Sequence, residues 1–145
     1  MIKNIMLGEE IVITTSNKVG ILADISAMLS NEGVNIEAIV GYENGKSAKV
    51  MLITNANLKI VDALRKKKYK SVKETEVVLV DLENKPGALK VVTTELKTNK
   101  IDIRYVYVTT SAGGWSRMVL ETSDNEKAMA LLNNYSSSNI NRDNS

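Results

Sequence analysis

The amino-acid sequence predicts an α+β protein made of two copies of one small unit, each an antiparallel sheet with helices on one face. Three observations lead there: an internal repeat, the same order of hydrophobic periods in both copies, and an aliphatic composition. The 145 residues include no Phe, one Trp and five Tyr, so the core has to be aliphatic. A unit of about 70 residues buries proportionately little surface, so we expect the copies to pack together or the chain to dimerise.

The internal repeat spans residues 16–37 and 83–104. Asn17 matches Asn84 at an offset of 67 positions, and no gap interrupts the match across this stretch. The offset becomes 68 by Lys49, which matches Arg117, so one residue is inserted in a loop between them. A repeat at fixed offset is the strongest guide to architecture in a sequence, and here it defines two equivalent units.

Each copy begins with a strand and a helix. The β-branched runs at 10–15 and 76–82 predict buried strands. An Asn-Lys-x-Gly turn follows each run, and apolar residues then recur at spacings of three and four, which predicts a helix. Pro86 suits the first turn of the second copy's helix, and Gly33 is placed to end the first copy's helix.

A hairpin and a second helix complete each copy. The remaining predicted elements are strands at 35–42 and 102–110, hairpin turns at 43–46 and 111–114, strands at 47–54 and 115–122, and helices at 56–67 and 124–134. Asn57, and either Ser123 or Asp124, are candidate N-caps. Residues 69–75 are a candidate fourth strand for the first copy, but the second copy offers none near its end. The order is that of the split βαβ, ferredoxin-like plan.

The predicted boundaries follow this linear order. The first domain is expected at 1–72 and the second at 73–134. Residues 135–145 are polar, with one Ile and no periodicity, and we expect them to form a disordered tail.

Several classes of function are excluded or disfavoured by composition. With no Cys and no His, disulfides, thiolate zinc sites, cysteine nucleophiles and histidine-based triads are impossible, and we expect no metal, cofactor or catalytic residue. The net charge of +2 does not imply nucleic acid, and the basic run at 65–68 suits a solvated helix end. We find no signal peptide or long apolar run, so we expect a cytoplasmic protein with no membrane partner.

The repeated strand-to-helix turn is the most conspicuous candidate site. A helix N-terminus presents free N–H groups and partial positive charge, which suit a carboxylate. Gly20 and Gly87 would let a ligand approach the backbone closely, and the Asn17 and Asn84 amides can both donate and accept hydrogen bonds. The alternative is structural: Asn begins the turn, and Gly lets the helix pack closely on the sheet.

These residues resemble the ACT domain. The pattern [D/N]-x-x-G-x-[L/I] between the first strand and first helix occurs as NKVGIL at 17–22 and NKPGAL at 84–89. The accompanying [V/I]-[N/D]-[I/V] pattern occurs at 34–36 and 101–103. The resemblance covers roughly residues 9–134. It implies a regulatory module that binds amino acids where two domains pair side by side and join their sheets into one of eight strands.

The resemblance also implies ligand-binding positions at the first turn and at the start of the second strand. They are Thr15, Asn17, Val19, Gly20, Ile21, Leu22, Asn35 and Ile36 in the first copy, and Leu82, Asn84, Pro86, Gly87, Ala88, Leu89, Asp102 and Ile103 in the second. Serine-binding members clasp their ligand with two Asn side chains and often carry a His two residues before the first Asn. Thr15 and Leu82 stand where that His would be, and Asp102 replaces the second Asn in the second copy.

The function expected from the resemblance is that of a free-standing tandem ACT protein, a homodimer that binds an amino acid and signals to a partner enzyme or regulator. An interaction module without a ligand site is the alternative. An acylphosphatase-like enzyme on this fold needs an Arg-bearing phosphate loop, and a metal chaperone needs paired Cys; neither feature is present.

Overall fold

The computed structural model describes residues 1–110 and 114–143. Its ten elements are, in order, β1 (Ile2–Ser16), α1 (Ile21–Asn31), β2 (Ile36–Asn44), β3 (Ser47–Thr54), α2 (Asn57–Arg65), β4 (Ser71–Glu83), α3 (Ala88–Thr98), β5 (Ile103–Thr110), β6 (Trp115–Thr122) and α4 (Asn125–Asp143). The strands and helices therefore alternate as the repeat predicts. Residues 111–113 of the second predicted hairpin turn lie outside the described residues.

The chain divides into two compact units that do not follow its linear order. The first unit is Glu9–Thr75, and the second unit combines Met1–Gly8 with Glu76–Ser145. Hydrogen-bonded strands follow the order β2-β3-β1-β4-β6-β5. Strands β1 and β4 are long, and each contributes residues to both units.

The first unit has the expected sheet with helices on one face. Its strand order is β2-β3-β1-β4, and β3 is antiparallel to both β1 and β2. Ile11 lies opposite Leu52, and Ile13 lies opposite Val50. These four side chains are buried with apolar residues of both helices, namely Ile21, Ile25, Leu29, Ile60, Val61 and Leu64. The 69–75 segment that the sequence offers as a fourth strand begins β4.

The second unit takes its fourth strand from the beginning of the chain. Its order is β1-β4-β6-β5, with β6 antiparallel to β4 and β5. The Glu83 N–H donates to the Met1 carbonyl at 2.8 Å. Three side chains of this segment pack against the second core: Ile2, Ile5 and Leu7. The strand that the sequence analysis does not find near residue 134 is therefore at residues 2–8.

Three expectations differ from this architecture. Within residues 1–110 and 114–143 the sheet has six strands rather than eight, because β1 and β4 each serve both units as continuous strands. The predicted boundary at 72/73 differs from the division into compact units, which groups residues 1–8 with the chain from Glu76 onward. Helix α4 continues to Asp143, where the sequence predicts a tail from 135. No Pro or Gly interrupts 135–143, so nothing in that segment breaks the helix.

Helices α1 and α3 end in the same way. After α1, the Val34 N–H donates to the Leu29 carbonyl at 2.9 Å, and Gly33 has φ 68°. After α3, the Ile101 N–H donates to the Leu96 carbonyl at 2.9 Å, and Lys100 has φ 58°. Both are Schellman motifs with a left-handed residue beyond the helix. Gly33 ends α1, as predicted, and Lys100 takes the same left-handed conformation after α3.

The N-terminal caps are confirmed in one of two cases. The Asp124 carboxylate accepts the Lys127 N–H at 3.0 Å and caps α4. The cap of α2 is Ala56, and Asn57 is the first helical residue. The Asn57 side chain instead donates to the Glu9 carbonyl at 2.8 Å and ties the helix to the start of its unit.

None of the helices within the described residues is both long enough and apolar enough to cross a membrane.

Candidate functional site

The β1–α1 turn of the first unit leaves the start of α1 uncapped. Gly20 occupies the N-cap position with φ 97°, and no side chain hydrogen-bonds to the first N–H groups. The first N–H groups of an α-helix have no partner within the helix. Those of Ile21, Leu22 and Ala23 are therefore donors available to a ligand.

Asn17 is held by the β2–β3 hairpin rather than by the helix. Its backbone N–H donates to the Lys46 carbonyl at 2.8 Å. Its side-chain Nδ2 donates to Glu43 Oε2 at 2.6 Å and to the Gly45 carbonyl at 3.3 Å. With Nδ2 used in this way, the Asn17 Oδ1 remains as an acceptor on the same amide.

An open cavity of about 400 Å³ lies between the start of α1 and this hairpin. That volume is within the range of small-molecule sites. Its lining comes from the turn, the first helical turn and the two strands: Asn17, Lys18, Gly20, Ile21, Leu22, Ala23, Gly41, Tyr42, Glu43, Ala48, Lys49 and Val50. We call it the turn cavity.

The turn cavity owes part of its space to a glycine on its strand wall. Gly41 lies opposite Val50 in the β2–β3 register. A Cβ at this position would lie 3.6 Å from Leu22 Cδ2 and 3.8 Å from Val50 Cγ2, which are ordinary contact distances. Any larger side chain would extend its further atoms into the remaining gap.

The walls of the turn cavity differ in chemistry. The helix start carries partial positive charge, with Lys18 beside it, while the strand side carries both the Glu43 carboxylate and the Lys49 ammonium group. Leu22 and Val50 form an apolar wall between them. The arrangement can accept a molecule that carries an anionic group, a cationic group and a short apolar part.

The structure brings together only some of the residues implicated in the first copy. Asn17, Gly20, Ile21 and Leu22 line the turn cavity. Val19 is fully exposed beside it, at 104% of the reference area.

The other implicated residues of the first copy lie elsewhere. Thr15 is buried and lines a different cavity. Asn35 and Ile36 lie at the opposite end of β2, where the Asn35 N–H donates to Asn55 Oδ1 at 3.0 Å and Ile36 packs against the core. Asn17 and Asn35 therefore do not share the turn cavity.

In the second copy, the turn residues repeat the geometry of the first. The Asn84 N–H donates to the Gly114 carbonyl at 2.8 Å, and Gly87 has φ 88°. Pro86 is exposed, and Leu89 is half exposed.

On either side of that turn, Leu82 and Ala88 are buried in the second core. The Asp102 N–H donates to Ser123 Oγ at 3.0 Å, and Ile103 packs against the core from the start of β5. The start of β5 thus repeats the position of Asn35 and Ile36 in the first copy.

A second cavity of the first unit lies on the other side of Ile21 and measures about 420 Å³. Thr15, Asp24, Lys68 and Tyr69 are among its lining residues. Burial, together with the nearby Asp24 carboxylate, raises the pKa of Tyr69 above its usual value. Its phenol is therefore a neutral donor at physiological pH.

The residues that sequence reasoning missed are those of the strand wall. Gly41, Tyr42, Glu43, Lys49 and Val50 belong to neither of the two patterns that indicate a ligand site. Their signal is positional: they flank the Asn44-Gly45 turn, and antiparallel pairing brings residues beside a hairpin turn together. Among the described residues, no group of three Asp or Glu side chains could hold a metal ion.

No protein-family model and no curated protein matches the chain, whereas solved structures do. Protein BT0572 from Bacteroides thetaiotaomicron has a TM-score of 0.83 at 26% identity, with 92% of both chains covered. The regulatory subunit of aspartate kinase from Thermus thermophilus, in its ligand-free form, has a TM-score of 0.66 at 11% identity, with 92% of this chain and 98% of that one covered. The regulatory subunit from Thermus flavus has a TM-score of 0.56 at 12% identity, with 92% and 97% covered. The fold of this chain is therefore an ACT-like α+β fold.

Proposed function

We propose that this protein is a non-catalytic regulatory module that binds an amino acid in the turn cavity of its first unit. One observation carries the proposal: the uncapped start of α1 and the Glu43 carboxylate line the same small cavity. An amino acid carries both complementary charges on one carbon atom. The similarity to regulatory subunits of aspartate kinase supports a regulatory role.

The binding mode follows from the charges of the walls. The ligand carboxylate would accept hydrogen bonds from the free N–H groups at the start of α1, where the helix dipole also favours an anion. The ligand ammonium would donate to Glu43 and to Asn17 Oδ1. A side chain of modest size would then rest against Leu22 and Val50. Hydrogen bonds to charged groups are about twice as strong as neutral ones.

The cavity is preorganised for this ligand by a contact already present. Asn17 Nδ2 holds Glu43 Oε2 at 2.6 Å, so the carboxylate does not have to be ordered when the ligand binds. Preorganisation of this kind improves affinity because less side-chain freedom is lost on binding.

A regulatory output requires a surface that responds to the ligand. Val19 and Leu22 flank the cavity and are exposed to 104% and 52% of their reference areas. Exposed apolar side chains beside a ligand site suit contact with a second copy of the chain, or with a partner enzyme or regulator. The same exposed residues favour the alternative, an interaction module that binds no small molecule.

The test is thermal unfolding of the purified protein with each of the twenty amino acids at millimolar concentration. A ligand that binds only the folded state raises the unfolding temperature. We expect a rise for one amino acid or a few related ones. We expect that rise to disappear in Gly20→Asp, which puts a carboxylate at the anion site, and to shrink in Glu43→Gln.

Glu74→Gln is the matched control, since it removes the same charge from an exposed position of β4 in the same unit. No response to any amino acid would contradict the proposal and favour the interaction module. An equal loss of response in Glu74→Gln and Glu43→Gln would contradict the proposed location.

A further inference from the structure

The repeat gives every residue of the turn cavity a counterpart in the second unit. Strand register fixes the correspondence without reference to sequence similarity. Gly41 lies opposite Val50 in the first unit, and Val108 lies opposite Met118 in the second. Glu43 lies opposite Ala48, and Thr110 lies opposite Ser116.

The backbone at the start of the helix is alike in the two units. Gly20 and Gly87 are both N-caps with left-handed φ angles of 97° and 88° and no side-chain cap. Leu22 and its counterpart Leu89 are exposed to 52% and 49%. Two other helix-side lining residues do differ, since Ala88 stands in place of Ile21 and Lys90 in place of Ala23. The larger differences in space and acidic charge lie on the strands.

The strand side differs at all six lining positions, and three of these differences bear on the proposed ligand. Val108 replaces the glycine, and Met118 replaces Val50, so both counterparts are larger. Thr110 replaces Glu43, so the only acidic side chain of the turn cavity has no acidic counterpart at that position. The first two changes add side-chain volume, whereas the exchange of Tyr42 for Thr109 takes some away. The loss of Glu43 removes the charge that would balance an ammonium group.

We propose that the two copies have diverged, so that the chain binds one amino acid in the first unit and none at the equivalent position of the second. Gly41 and Glu43 are the residues that decide this difference. The inference rests on the proposed function.

A glycine is required at position 41 for a steric reason. Since a Cβ there would already lie at contact distance from Leu22 and Val50, the two γ-carbons of a valine would occupy space that the ligand needs. The substitution should not disturb the strand, because Gly41 does not have a positive φ and valine is a good strand former. Loss of binding in Gly41→Val would therefore report on the cavity.

The acidic residue is required for an electrostatic reason. An ammonium group leaving water needs an acceptor of opposite charge, and a threonine hydroxyl carries none. Losing a hydrogen bond to a charged group weakens binding by about tenfold to a hundredfold. The second unit lacks this partner.

The experiment is calorimetric titration of the full chain with the amino acid that gives the largest rise in unfolding temperature. We expect one ligand per chain. We expect Gly41→Val to abolish measurable heat and Glu43→Thr to weaken binding by about tenfold or more. Val108→Gly, the matched control at the counterpart position, should leave affinity unchanged. Circular dichroism of each variant checks that it is folded.

The outcomes separate this inference from the proposed function. Two ligands per chain, or equal losses of affinity in Val108→Gly and Gly41→Val, would overturn the divergence and leave amino-acid binding standing. Undiminished binding by folded Gly41→Val would overturn the steric role of the glycine. No binding of any amino acid by the wild-type chain would overturn both proposals.

Discussion

The equivalent C-terminal ends of α1 and α3 allow the effect of one substitution on the free energy of unfolding to be predicted. Gly33 and Lys100 occupy the same position after α1 and α3, with φ of 68° and 58°. The Schellman hydrogen bond that accompanies each is 2.9 Å long. The backbone geometry is thus the same in both, and only the residue type differs. Lys100→Gly should relieve the strain of a left-handed non-glycine residue.

That strain costs about 1–2 kcal/mol, and the greater freedom of glycine in the unfolded chain offsets part of it. We expect a net gain of about 0.5–1 kcal/mol in the free energy of unfolding, which corresponds to a rise of roughly 2–4 °C for a chain of this size. The reciprocal Gly33→Lys should lose a similar amount. A Cβ at Gly33 would meet no atom within 4 Å, so its cost is that of the backbone alone.

The assay is urea and thermal unfolding of both variants followed by circular dichroism. Lys100→Ala is the control, because it removes the charged side chain while keeping the Cβ that causes the strain. If Lys100→Gly is no more stable than Lys100→Ala, the attribution to backbone strain is refuted.

Two further predictions concern the second unit. Arg117 donates a hydrogen bond of 2.9 Å to Asp81 and lowers the pKa of the Asp81 carboxyl. This bond therefore stabilises the folded protein above the unfolded-state pKa of about 3.9, and the stabilisation is lost as the pH falls through the pKa of the folded state. Asp81→Asn should unfold at a lower temperature than wild type at pH 7, and this difference in unfolding temperature should disappear below about pH 4. A difference that stays constant down to pH 2 would contradict the role given to Asp81. Deleting residues 1–8 removes three apolar side chains from the second core, and each loss should lower the free energy of unfolding by about 1 kcal/mol. Amide hydrogen exchange should become faster in residues 76–143 and stay slow in residues 9–75. Equal acceleration in both ranges would contradict the division into units.

Much of the fold could be predicted because its signals are local. The bounds of β3 and β6 match the predicted 47–54 and 115–122, since a short, largely apolar run next to a turn signal leaves little choice of register. The strand at residues 2–8 was missed for the opposite reason. Its partner is residues 76–83, and no local pattern announces a pairing so distant in sequence.

The residues of the candidate site also fall into two groups, those that the sequence could predict and those that it could not. Asn17 and Gly20 belong to a motif, and both line the turn cavity. Gly41 and Glu43 belong to none, and they reach the cavity only because β2 pairs with β3 in one particular register. Asn35 fits the motif equally well, yet β2 carries it to the far end of the unit. A motif identifies residue types, whereas register and strand direction determine which of them meet.

The continuity of β1 through both units has a consequence for biosynthesis. The ribosome makes residues 1–8 well before their strand partner in β4, which is completed only at Glu83, and the core they cover needs β6 and α4 as well. The first unit is complete at Thr75 and can fold while the rest of the chain is still being translated. The leading segment must therefore wait unpaired, as an exposed strand carrying Ile2, Ile5 and Leu7, and it is during this interval that a nascent chain would most need protection by a chaperone.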